Sequence, residues 1–283
     1  MPVTESGLPD WNAVWKRLYS DNIQSRGYEE CTNLWESREK ASGFLAQSRE
    51  NPQRIDHILK ALPLTPLSRV LDIGAGPGTL ALPIARKVTH VTAVEPAAGM
   101  VEVMTEQAAR EKIANLTILQ KRWEDIDPTR DLPHRYDIVI ASYSLGMPDI
   151  KASIKSMCRA SSKWVYLFWF AGMTSWEKTM IDLWPQLHRR EFKCGPKVDV
   201  LYNVLYDMGI YPNVETVPME HKRIFPDFES AINEYVNQYR VSTESQEKIV
   251  RDYFSRVLTE ENGSYTYTGT TIRVKLWWEV NGR

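Results

Sequence analysis

Cysteine is scarce in this chain: Cys31, Cys158 and Cys194 are the only three among 283 residues. An odd number, far apart and without Cys-x-x-Cys or Cys/His spacing, excludes a disulfide framework and a zinc site of known pattern. Reduced thiols in a cytoplasmic protein, and no metal site, are the expectation. Long apolar runs are also missing. The most apolar stretch, Trp164 to Met173, is about half the length needed to cross a bilayer. The opening residues show no basic segment followed by an apolar one, so neither a leader nor a membrane partner is expected. Neither sign of charge dominates. With 35 Lys and Arg against 36 Asp and Glu the formal net charge is −1. That balance argues against a nucleic-acid partner, because phosphate binding normally shows as a basic excess or stripe. No internal repeat or low-complexity tract is present. At 43% apolar and 25% charged residues the composition is that of an ordinary globular protein.

The chain is organised around Arg69-Val70-Leu71-Asp72-Ile73-Gly74-Ala75-Gly76-Pro77-Gly78-Thr79-Leu80-Ala81. A short apolar run with the β-branched content of a buried parallel strand breaks into three alternating glycines. Leu80, Ala81, Ile84 and Ala85 then follow at the spacing of one helical face. Strand, glycine turn and helix bring backbone N–H groups and a helix N-terminus up to a ligand. Glycine suits the turn because it takes φ > 0 freely and has no Cβ to hold a ligand away. Val91 to Glu95 forms a second buried strand ending in an acid about twenty residues beyond the glycines, where nucleotide-binding βαβ units hold ribose hydroxyls. A dinucleotide fingerprint needs its third glycine three residues after the second. That position is Thr79, the glycine is Gly78, and an acid inside the first strand (Asp72) is foreign to that pattern.

An α/β alternation extends on both sides. Helical spacing appears at Trp11, Val14, Trp15, Leu18 and Tyr19, with Asp10 as N-cap. It recurs at Leu34, Trp35, Arg38 and Ala41, and again from Pro52 to Leu62. Beyond the second strand come a helix from Ala97 to about Ile113, a strand at Leu116 to Gln120, a strand at Tyr136 to Ala141 and another at Trp164 to Phe170. Residues 173–196 form an extra stretch with a helical middle. Residues 198–209 read as a crossover helix and Asn213 to Val217 as a sixth strand. A second insertion, 219–262, carries two further helical patterns, and Tyr265 to Val280 alternates as a final strand.

Val70 to Gly78 with Glu95 resembles the first two motifs of the class I, Rossmann-like S-adenosylmethionine-dependent methyltransferases, and the likeness runs from about residue 66 to 172. It implies an α/β, doubly wound, seven-stranded and mostly parallel sheet whose last strand is antiparallel. It also implies a helical N-terminal cap (1–65) and a core (66–283) interrupted by cap insertions. The cofactor implied is S-adenosylmethionine. Asp72 would meet its ammonium directly or through water, since a carboxylate in an apolar strand is costly unless paired. A nearby Lys, Arg or backbone donor is the alternative partner. Gly74, Ala75, Gly76 and Gly78 would let the backbone approach the methionine moiety, and Glu95 would take the ribose diol. Pro96 and Met100 would pack the adenine from one side and Trp123 and Glu124 from the other, although Arg122 stands where the commonest pattern has an acid. Ser142 would face the sulfonium.

The catalytic end is less defined. The Asn/Asp-Pro-Pro-aromatic signature of base and amide N-methylation is absent, and Ser142-Tyr143-Ser144-Leu145 takes its place. Methyl transfer is an in-line displacement that asks the protein mainly to align and to exclude water. Tyr143, His188 and His221 are the candidate bases. Trp11, Trp15, Trp35, Trp176, Trp184, Phe225 and Phe228 lie in segments expected to roof the site. They suggest a small-molecule acceptor with apolar or aromatic surface. Open alternatives are methylation of a protein side chain, non-catalytic cofactor binding and a nicotinamide-dependent oxidoreductase.

Overall fold

The computed structural model describes residues 7, 9–27, 33, 35–50 and 52–280. Leu34 and Cys31 lie outside them. Three helices lead: α1 (Trp11–Ser25), α2 (Arg38–Glu50) and α3 (Gln53–Ala61). The alternation follows as β1 (Arg69–Ile73), α4 (Ala81–Ala85), β2 (His90–Val94), α5 (Ala98–Arg110), β3 (Leu116–Leu119), β4 (Tyr136–Ser142), α6 (Ile150–Ala160) and β5 (Ser161–Ala171). Then come α7 (Ser175–His188), α8 (Val198–Asp207), β6 (Asn213–Phe225), α9 (Phe228–Gln238), α10 (Glu244–Val257), β7 (Thr259–Glu261) and β8 (Ser264–Glu279).

One sheet runs in the order β3-β2-β1-β4-β5-β8-β6, with β7 paired on β8. The first five strands are parallel, and β8 runs antiparallel between β5 and β6. This is the doubly wound sheet the sequence predicts, with one strand more. The extra strand is made by a two-residue hairpin, in which Asn262 and Gly263 take φ of 53° and 81°. Asn-Gly at such positions gives the turn whose twist matches paired strands, so this signal stood in the sequence unread.

Helices cover both faces. Leu71, Ile73, Val139, Ala141, Val165 and Leu167 point toward α1, α6 and α8. Val70, Val91, Ala93, Ile138, Ile140 and Phe168 point toward α3, α4 and α5. The two sets alternate along each strand, as the period of two requires. Asp10 caps α1 as expected, accepting from the Ala13 N–H at 3.0 Å. Among the described residues the helix that includes Ala41 runs from Arg38 to Glu50, and Trp35 packs edge-on against Phe44, centroids 5.2 Å apart.

The sixth strand is longer than the sequence suggests. It continues through Pro218 to Phe225 and pairs with β8 along its whole length. The insertion expected at 219–262 therefore begins as strand. Pro218 and the charged run Glu220-His221-Lys222-Arg223 lie within this strand. β6 is a sheet edge, where a proline's missing N–H costs no ladder bond. The protruding halves of β6 and β8 are covered by α7, α9 and α10. These enclose a second core in which Tyr235 stacks on Phe254, centroids 3.6 Å apart.

The expected aromatic roof is mostly interior. Trp15 is fully buried and donates from Nε1 to the Met147 carbonyl at 2.8 Å. Trp184 donates to the Ser25 carbonyl at 2.9 Å, and Phe225 belongs to the second core. Phe228 packs on Tyr265. Trp176, 38% exposed, stands instead at the end of β5 against Phe170. Burial wins because each of these rings gains more by leaving water than by lining a cleft. Among the described residues no helix is long and apolar enough to cross a membrane.

Trp15→Ala should lower the unfolding free energy by about 3–5 kcal/mol, the usual loss for a fully buried Trp. Urea denaturation measures it, and a change below about 1 kcal/mol would show that α1 is peripheral to the core.

Candidate cofactor site

Strand parity assembles the site. Val70, Ala93 and Ile140 lie in the core on the α3–α5 face. Two residues further along each chain stand Asp72, Glu95 and Ser142, so all three present to the same face. Asp72 pairs in register with Ala93 on one side and Ile140 on the other. Glu95 and Ser142 thus lie one pair beyond it, at the carboxyl ends where parallel sheets bind ligands.

The glycine turn closes over this edge. Gly74, Gly76 and Gly78 have φ of 69°, 57° and 85°, a region closed to most side chains. Gly74 and Ala75 donate N–H bonds to the Val94 carbonyl at 2.8 and 3.1 Å, tying the turn to the end of β2. A Cβ at Gly74 would lie 2.3 Å from that of Ser144, whose hydroxyl donates to the Ile73 carbonyl at 2.6 Å. Gly76 differs, because a Cβ there would meet nothing within 4 Å. This is the open side of the cradle.

Glu95 acts as the strut. One carboxylate oxygen accepts from Gly76 N–H at 2.8 Å and the other from Ala97 N–H at 3.0 Å. The expected ribose contact is therefore not the sole use of this acid. An ionised carboxylate has about four lone-pair sites, so room for two more donors remains. Burial raises the Glu95 pKa against the pull of those N–H groups, and Glu36 raises it further. Glu36 itself accepts from Ala98 N–H at 3.2 Å, at the N-terminus of α5. Its reach there, like the close contact of the Glu36–Arg38 backbone with Gly99, was not foreseen.

Asp72 is 1% exposed and its Oδ2 has no hydrogen-bond partner. Burial first, and then the neighbouring Glu95, push its pKa up to about 7. The Ser142 hydroxyl is likewise buried without a partner. Two buried polar atoms without a partner, a strut acid and an unobstructed glycine thus meet on one sheet edge, and buried polar atoms are rarely left unpaired.

Other expected site residues separate. Pro96 is half-buried beside the strut, and Glu124 is exposed in the short turn Trp123–Asp125. Met100 is 3% exposed in the α2–α5 core with Ala41, Leu45 and Val103. Trp123 is 2% exposed, its Nε1 donating to the Ser153 carbonyl at 3.1 Å. Neither side chain offers free surface for an adenine ring, because helices α2 and α6 already fill that need. Tyr143 adjoins Ser142 with φ of 58°. His188 is held by the Tyr239 carbonyl and His221 by the Gly269 carbonyl, both in or beside the second core. Tyr143 is the member of that trio next to the cradle. A groove of about 230 Å³ between α2, α3 and α4 reaches Gly78 and Thr79 but not Asp72, Glu95 or Ser142.

The fold and the glycine-turn edge define a Rossmann-like nucleotide-binding class of α/β protein. Residues 70–163 match the family model described as a methyltransferase domain. That segment is about a third of the chain, and in it the chain is similar to the S-adenosylmethionine-dependent methyltransferases. It is 29% identical over 163 residues to an uncharacterised protein of Haemophilus influenzae, covering 58% of each chain. It is also 33% identical over 131 residues to the mitochondrial ribosomal RNA small subunit methyltransferase of Arabidopsis thaliana, covering 44% of this chain and 33% of the other. The matches thus span less than two thirds of either relative. Among solved structures, a Bacillus halodurans protein assigned as a methyltransferase superposes with a TM-score of 0.56 at 15% identity, over 80% of this chain and 98% of that one.

Asp72 carries a pH signature. Its folded pKa of about 7 lies above the ordinary aspartate value of 3.8, so the folded state holds a proton that the unfolded chain has released. Stability from this group is full below about pH 4 and is lost as pH rises to about 7. Without ligand, Asp72→Asn should therefore flatten the decline between about pH 4 and 7, read by urea unfolding at each pH.

Proposed function

We propose that this protein transfers a methyl group from S-adenosylmethionine to a small-molecule acceptor with apolar or aromatic surface. The observation that carries the cofactor half is the orphaned Asp72 carboxylate beside the open face of Gly76. Asp72 would hold the cofactor ammonium. The backbone of Gly74, Ala75, Gly76 and Gly78 would take the methionine moiety, Glu95 would bond the ribose hydroxyls with its free lone pairs, and Ser142 would face the sulfonium. Pro96 and Glu124 would border the adenine. When bound, the cofactor supplies an electrophilic methyl group. The protein's own residues align the acceptor with it and keep water out. Tyr143 is the side chain best placed to take a proton where the acceptor must lose one. The domain division enters as part of the reading: a leading segment (1–65), supported by the Glu36 contact with α5, and a core from residue 66.

The small-molecule half is supported by the balanced charge and the aromatic edge at Tyr143, Phe170 and Trp176. A second reading, an RNA acceptor, is favoured by the ribosomal RNA methyltransferase relative. That match covers 44% of this chain, and a cofactor-binding core is shared regardless of acceptor.

Titration calorimetry should show binding of S-adenosylmethionine and of its demethylated product, with no comparable binding of NAD. Glu95→Gln should weaken it by about 1.5–3 kcal/mol, the scale of hydrogen bonds to a charged group. Affinity should rise with pH up to about 7 in the wild type and lose that dependence in Asp72→Asn, because an ionised Asp72 is what pairs with an ammonium. Incubation with methyl-labelled cofactor and separated small-molecule and RNA fractions decides the acceptor. Label in the RNA, with steeply salt-dependent RNA binding, would overturn the small-molecule reading.

A further inference from the structure

Two arginines at the carboxyl ends of the strands make no ion pair among the described residues, and the one acid lining the small cavity beside Arg273 and Tyr143, Glu215, is taken by Lys275. Arg54, on α3, and Arg273, on β8, both lie over the Tyr143 ring, their guanidinium carbons 5.6 and 4.7 Å from its centroid. Arg273 also lies 5.9 Å from the Phe170 ring, its cross-strand partner. Among the described residues neither arginine makes an ion pair or a hydrogen bond, and Arg273 Nε is buried unpaired. The cations nearby on the same sheet face are treated differently. Glu215 pairs with Lys275 at 2.5 Å and approaches His57 at 4.0 Å. Burial, and then the charge of Arg273, disfavour the cationic form of Arg54.

Like charges brought together on one aromatic ring, half-buried and without a counter-ion, are unfavourable in isolation. They are what an oxyanion needs, because guanidinium groups present forked N–H donors to a carboxylate. Their position matters. Tyr143 directly follows Ser142, and Tyr143, Phe170 and Trp176 form a continuous aromatic edge with centroids 4.9 Å apart at each step. The strained φ of Tyr143 turns its ring onto this face, away from the backbone path of β4.

We propose that Arg54 and Arg273 form an acceptor subsite that holds the carboxylate of a small aromatic acid against Tyr143, Phe170 and Trp176. The inference rests on the methyltransferase reading for its role but not for its test. The cavity beside Arg273 and Tyr143 is closed to a ligand as it stands, so the anion enters as the half-buried Arg54 side chain swings outward. An entering carboxylate relieves the repulsion between the two guanidinium groups, while Ile58 keeps α3 anchored in the core.

The test uses benzoate, benzamide and inorganic phosphate as probes on the full chain without cofactor, read by NMR titration of arginine Nε–H and tyrosine ring signals. Benzoate should bind at least tenfold more tightly than benzamide, which keeps the ring and lacks the charge. It should also bind more tightly than phosphate, which keeps the charge and lacks the ring. Arg273→Gln and Arg54→Gln should each weaken benzoate at least tenfold, with Arg273→Lys intermediate and circular dichroism melts confirming the folds. Equal binding of benzoate and benzamide in the wild type would overturn the subsite without any variant. So would unchanged benzoate binding in folded Arg273→Gln, or phosphate binding as tightly as benzoate. Calorimetry with S-adenosylmethionine, run separately, tells a failed subsite from a failed cofactor site.

Discussion

Everything at the functional edge depends on how a glycine turn is held open. Three residues with positive φ in five positions cannot keep that shape through side-chain packing, since they have no side chains. The shape is imposed from outside. Gly74 and Ala75 hang on the last carbonyl of β2, and Gly76 hangs on the Glu95 carboxylate, which at its other oxygen holds the start of α5. A single acid therefore couples the first two βα turns of the sheet. Were Glu95 only a ligand contact, the turn would lose its brace whenever ligand left.

Ionisable groups without an ion-pair partner are a recurrent feature of this molecule, and an acid and two bases of this kind occur in two places at the sheet edge. Asp72 sits inside the sheet edge with a raised pKa, and Arg54 and Arg273 sit over Tyr143 with no acid to receive them. They do not neutralise one another. Elsewhere the protein pairs its buried charges readily, as where Lys197 meets Glu177 at 2.6 Å with both side chains largely buried. The contrast sets the two unpaired clusters apart, because leaving a polar group unsatisfied inside a protein costs free energy that folding alone does not return.

The aromatic load shows how readily a functional expectation yields to packing. Trp15, Trp123 and Trp184 each bury the ring and hand the indole N–H to a backbone carbonyl of another element. In doing so they staple α1, the turn after β3 and α7 to the body of the protein. Met100 likewise belongs to the α2–α5 contact. From the sequence these side chains look like walls for a ligand. In three dimensions they are the mortar between layers, and the aromatic surface left for a ligand is the edge made by Tyr143, Phe170 and Trp176.

What the amino-acid sequence determined by itself is local: the strand–glycine–helix unit, the acid at the end of β2, the alternation of elements, and the parity that puts Asp72, Glu95 and Ser142 on one face. These follow from backbone sterics and a period of two, which act over a few residues. The hairpin at Asn262-Gly263 was equally local and equally readable. The length of β6, the fate of the tryptophans and the second use of Glu95 were decided only by tertiary structure, because each depends on what a distant segment leaves unfilled. No pattern in the sequence links Arg54 to Arg273. They meet over Tyr143 because β8 is threaded antiparallel between β5 and β6 while α3 lies across the same face, and only the folded chain brings those two charges onto one ring.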